Sequence, residues 1–188
     1  MGQYYIPCLL KKNYKTNKKP IKGALCAHKF GNSKKLMDHS YVGNGFVKAA
    51  TYMLLGNETN RFVWCGDYAD PIKDDKNMYQ FAREDNFDTK YTNQFLTEEC
   101  PDLDDELFGE LKYIINHSKK QYVVVEDYKE NEWQIHPLPL LTADGNGRGG
   151  GDFYGSPEDM VGIWAYDIIE CNDGAPDDYE RIEITFKE

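Results

Sequence analysis

The segment VWCGDYADP ends an apolar, β-branched and aromatic run in two carboxylates, Asp67 and Asp70. A rigid strand that opens into an acidic loop presents oxygen ligands to magnesium or manganese, provided that other elements add donors. Asp144, Asp152 and the four histidines are the candidates for those extra ligands. The alternative is that both aspartates are ordinary polar turn residues. His39, in SKKLMDHSYVGNG, has Asp38, Ser40 and Asn44 around it and acts as a general base if the fold brings it near Asp67 or Arg148. With Arg148 on a scissile phosphate, these residues would make a small metal-dependent nuclease or phosphoesterase. No HExxH, zinc-type Cys/His spacing or GxSxG accompanies them.

Six glycines fall among the nineteen residues of LTADGNGRGGGDFYGSPED, around the single guanidinium of Arg148. Gly145, Gly147 and Gly150 satisfy GxGxxG literally, but Gly151 and Asp152 prolong the loop where a dinucleotide-binding helix would begin. The general chemistry survives. The amides at Gly147, Gly149 and Gly150 can point at one anion while Arg148 binds phosphate or carboxylate in bidentate fashion. Ser156, followed by Pro157 and by Asp159 three residues on, has the signature of a helix start, which also attracts anions. A loop of this kind is equally a flexible connection between strands, or an arginine loop that inserts into a partner's pocket.

Charge divides the chain. Its net charge is −10, yet residues 1–48 hold ten lysines against one acid, Asp38, so this part carries +9 and the other 140 residues carry −19. Lys11, Lys12, Lys18 and Lys19 lie in KKNYKTNKKP, and Asp102, Asp104 and Asp105 lie in EECPDLDDELFGE, where seven of thirteen residues are acidic. Such an acidic run can imitate a phosphate backbone, and the lysine run can meet a real one; both are also ordinary solvated faces. Arginine is scarce beside lysine, so Arg148 in the glycine loop is less readily read as filler. Tyrosines interleave with the N-terminal lysines, a pattern that stacks single-stranded bases in some modules and fills cores in most.

The elements that must carry these groups follow from periodicity. GQYYIPCLL and IKGALCAHKF read as a hairpin joined by the lysine loop, with His28 a candidate core histidine. GNSKKLMDHSYVGNG reads as a loop, after which Asn44 caps a helix over FVKAATYMLL that Gly56 closes. RFVWC is a central strand, DDKNMYQFARED a helix with only a thin apolar stripe, and the leucines from Leu103 a short helix that ends near Phe108 or, in the competing reading, runs on to His117. KYIIN and QYVVV form a hairpin about His117–Lys120; WQIHPLPLL is a strand whose two prolines place it at a sheet edge or make its end irregular, and VGIWAYDIIE and YERIEITFK are further strands. The expectation is one α+β domain over residues 1–188, with a mainly antiparallel sheet of six to eight strands and two or three helices. The five cysteines are odd in number and set in apolar runs, so reduced core thiols are expected. No secretory leader, myristoylation pattern or long apolar segment is visible, and a cytoplasmic protein with no membrane contact is expected.

MGQYY, KKLMDHSYVGN, RFVWCGDYAD, INHSKKQYV and the GNGRGGGD loop together resemble small uncharacterised proteins of phages and bacterial mobile elements. The resemblance implies neither fold nor mechanism, but it implies a protein acting in a bacterial host cell for such an element. The leading expectation is a binding protein that inhibits a nucleic-acid-directed host defence system in the manner of an anti-CRISPR protein. Its partner would be a host defence protein or nucleoprotein, and it would need no cofactor. The nuclease with magnesium or manganese, and a sponge that holds a signalling nucleotide in the glycine loop, are the alternatives.

Overall fold

The computed structural model describes residues 3–84, 109–129, 134–146, 153 and 159–186. Tyr5–Leu10 (β1) is buried at every position, as a run apolar on both faces must be. It pairs antiparallel with Ile21–Ala24 (β2) and with Arg61–Gly66 (β3). Ala143–Asp144 (β6) adds to β3 in parallel, with Trp64 opposite Ala143 and Cys65 opposite Asp144. The order β2-β1-β3-β6 puts RFVWC in the sheet interior, where its sequence placed it. A second sheet, in the order β7-β4-β5-β8, joins Tyr113–Asn116 (β4), Gln121–Val124 (β5), Ile169–Asn172 (β7) and Glu180–Arg181 (β8).

The α+β class is therefore observed, but the single, mainly antiparallel sheet is not. Each sheet has four strands and mixes two antiparallel pairs with one parallel pair. The division follows from burial. One hydrophobic core includes Phe46, Trp64, Ile114, Leu138, Trp164 and Ile169, drawn from both sheets and the helices near them. A second core, with Ile6, Cys8, Val63, Met78 and Phe81, covers the opposite face of the first sheet. Cys8, Cys26, Cys65 and Cys171 are buried free thiols, and burial with the nearby Asp144 pushes the Cys65 thiol up to about 12. No helix of the described residues is long and apolar enough to cross a membrane.

Four α-helices lie among the described residues, against the two or three expected: Leu36–His39 (α1), Gly45–Met53 (α2), Met78–Glu84 (α3) and Pro137–Thr142 (α4). Asn44 caps α2 by accepting from Phe46 N and Val47 N, and Gly56 takes φ 67° beyond its end. Four sequence expectations are corrected. The segment LMDH, read as loop, is α1. HPLPLL, read as an edge strand, is α4: the His136 ring accepts from Leu138 N and Pro137 occupies the first turn, where its missing N–H costs nothing. VGIWAYD, read as strand, is a series of turns in which Gly162 has φ 72° and Tyr166 φ 67°, so extended structure begins only at Ile169. His28 is exposed in a short 3-10 turn, Ala27–Phe30, and is no core histidine. The helix expected before Phe108 lies outside the described residues.

Candidate functional site

The parallel register of β3 and β6 sends two chemistry-bearing loops out of one sheet edge. Gly66 and Asp67 follow β3, and Gly145 and Asn146, the root of the glycine loop, follow β6. Gln3 ties them together. Its side-chain amide donates to Asn146 O at 3.1 Å and accepts from Asn146 N at 2.8 Å, as a neighbouring strand would. A Cβ on Gly145 would lie 2.3 Å from Gln3 Oε1 and 2.5 Å from Tyr5 Oη, so the clamp requires glycine there. Asp67 is held by the same N-terminal segment: its Oδ1 accepts from Tyr4 N at 3.1 Å, and its own N–H donates to Tyr4 O at 2.9 Å. Gly147, Arg148, Gly149, Gly150 and Ser156 lie outside the described residues.

A pocket of about 610 Å³ opens beside Asp67, lined also by Tyr4, Tyr79, Gln80, Arg83 and Glu84. Asp70 is exposed and does not line it. Among the described residues no three His, Cys, Asp or Glu side chains are grouped so as to hold a metal ion. Beside Asp67 the lining offers one further carboxylate, an amide and two tyrosines, together with a guanidinium that repels cations, a poor set for magnesium or manganese, which favour several carboxylate and carbonyl oxygens.

His39 sits in the core, with no exposed surface, packed against Phe46 and Trp64. Both ring nitrogens are engaged. Nδ1 is 2.9 Å from Ser33 O, and Nε2 accepts from Trp64 Nε1 at 3.2 Å, so the proton resides on Nδ1. Burial lowers its pKa to about 4, against the smaller raising effects of Ser33 and Asp38. A general base needs a nitrogen that substrate can reach, and this ring offers none.

The lysine loop is a folded structure with its charges outward. Lys11 N donates to Pro20 O at 2.9 Å, closing the loop, while Thr16 N and Asn17 N both donate to Asn13 O at 3.0 Å. Asn17 Oδ1 accepts from Lys19 N at 2.9 Å. Tyr14, only 6% exposed, points inward and lies parallel to Tyr166, with ring centroids 6.1 Å apart. Lys12, Lys18 and Lys19 are exposed and Lys11 is half-buried; among the described residues no carboxylate pairs with Lys11, Lys12, Lys15 or Lys18. Asp102, Asp104 and Asp105, the opposite pole expected from sequence, lie outside the described residues.

Two histidine contacts were missed at the sequence level. His117 stands between Tyr179 Oη at 2.9 Å and Glu170 Oε2 at 2.7 Å. His136 Nε2 lies 3.2 Å from Glu110 Oε1, yet the two are too poorly aligned to complete a hydrogen bond. Burial alone would raise the Glu110 carboxyl, but His136, Lys48 and Lys129 outweigh it and hold the group below the ordinary range. Only the residue before a helix-initiating proline could have flagged His136. Compared with protein-family models, with curated proteins and with solved structures, the chain matches none.

Proposed function

We propose that the protein is a non-catalytic binding protein that engages a nucleic-acid-containing partner through its lysine loop, and so inhibits a nucleic-acid-directed host defence system in the anti-CRISPR manner. The observation that carries this reading is the state of the loop: its backbone is hydrogen-bonded to itself, Tyr14 anchors it, and among the described residues no carboxylate pairs with Lys11, Lys12, Lys15 or Lys18. A pre-ordered cationic loop loses little conformational entropy on meeting phosphates, and it releases counterions when it does so. The −19 carried by the other 140 residues repels bare nucleic acid elsewhere and confines its approach to this face. The resemblance to mobile-element proteins is what selects a defence complex as the partner.

The test is direct. Purified protein is incubated with end-labelled RNA, single-stranded DNA and duplex DNA, with magnesium or with a chelator, and alongside an RNA-guided nuclease complex loaded with its target. The expected result is intact strands in every lane, a mobility shift that depends on the lysine loop, and reduced target cleavage by the complex. Chelator-sensitive cleavage by the protein alone would instead establish the nuclease.

A further inference from the structure

A second pocket, of about 490 Å³, lies between the lysine loop and the turn that precedes β7, and three cations converge on it: Lys12, Lys15 and Arg61. Arg61 is held by the backbone of the facing turn. Its Nη1 donates to Tyr166 O at 2.8 Å, which fixes one arm of the guanidinium and leaves its other donors unassigned. Among the described residues the one carboxylate in the lining, Asp167, is already engaged, its Oδ2 accepting from Asn116 at 2.8 Å and facing Lys119 at 3.3 Å. The pocket therefore carries a net positive charge.

The backbone supplies an independent sign. Tyr166 has φ 67°, a left-handed conformation that an aromatic residue rarely adopts and that persists where surrounding contacts impose it. Here they do: Tyr166 N donates to Phe62 O at 2.8 Å, and its hydroxyl donates to Asp144 Oδ2 at 2.6 Å. That conformation turns the Tyr166 carbonyl onto Arg61 and its ring onto Tyr14. Tyr166 and the Arg61 that it holds both line this pocket, and strained residues of this kind cluster at ligand clamps.

We infer that this pocket is a phosphate-binding site of mononucleotide size, with Arg61 gripping the phosphate and Lys12 and Lys15 closing over it. The inference rests on the polyanion-binding role of the lysine loop and names the chemical group which that loop receives at its base. Its volume exceeds what free phosphate fills and falls in the range of small-ligand sites.

Isothermal titration of the full chain with adenosine, AMP and inorganic phosphate tests it, with an oligonucleotide titrated into the same preparation. AMP is expected to bind and adenosine not to; tighter binding of AMP than of phosphate identifies a nucleotide as the ligand, and equal binding identifies free phosphate. Lys12→Ala with Lys15→Ala, two exposed side chains on either side of the buried Tyr14, should weaken AMP roughly tenfold or more, and Arg61→Gln at least as much. Equal binding of adenosine and AMP, or unchanged AMP affinity in the double lysine variant, would overturn the site. Oligonucleotide binding without AMP binding would overturn this inference alone, whereas AMP binding without oligonucleotide binding would overturn the polyanion reading and leave the pocket standing.

Discussion

His39 shows how one residue's surroundings decide its use. Its sequence neighbours, Asp38, Ser40 and Asn44, are those of a catalytic base, yet the ring is a donor to Ser33 O and an acceptor for Trp64 inside the core. The consequence is a stability effect. Between the ordinary histidine pKa of 6.5 and the folded value of about 4, the unfolded ring takes a proton that the folded ring refuses, so stability falls as pH falls through that window. Between pH 7 and pH 5 the loss should be about 2 kcal/mol. Denaturant midpoints for the protein and for His39→Phe check it: the variant should be less stable at pH 7, since Trp64 Nε1 loses its acceptor, but should lose less on going to pH 5. An equal acid loss in both would mean that another group titrates. Glu110, held below its usual range, adds its own loss only at lower pH.

Elements were legible where local chemistry and tertiary packing agree. The hairpin around His117–Lys120, the Asn44 cap and the interior position of RFVWC all follow from residue pattern. They were hidden where a side chain did unexpected work: the Pro-rich HPLPLL resembles a sheet edge because histidine is not among the usual capping residues, and the apolar VGIWAYD hides two left-handed residues. The meeting of the Asp67 loop with the root of the glycine loop was not legible, because parallel pairing of β3 with β6 joins residues about eighty apart and leaves no local mark. Gln3 records that meeting. Gly145→Ala drives a methyl group into Gln3 and Tyr5 and should cost about 1–3 kcal/mol, the usual toll of overpacking. Chemical denaturation checks this, and Gln3→Ala added to Gly145→Ala should cost less than the two single changes combined, because the second change removes Gln3's share of the clash and leaves only that with Tyr5. Full additivity would show that Gln3 does not clamp the loop root.

Over the whole molecule, the organising feature is the separation of charge. Its lysine-rich pole is a structured loop in which Tyr14 holds the backbone while Lys12, Lys15 and Lys18 face solvent. The composition of residues 1–48 announced that pole, but not that it encloses a pocket with Arg61, forty-two residues beyond the loop's last lysine, Lys19. The measurement that tests the central claim most directly is oligonucleotide binding by fluorescence anisotropy across a salt series, for the protein and for a variant with Lys11, Lys12, Lys18 and Lys19 changed to Gln. If the loop contacts about three or four phosphates, log affinity should fall with log salt with a slope of about −3 for duplex DNA, and the variant should flatten that slope and weaken binding at low salt. An affinity independent of salt, or a variant that binds as the unchanged protein does, would contradict the account.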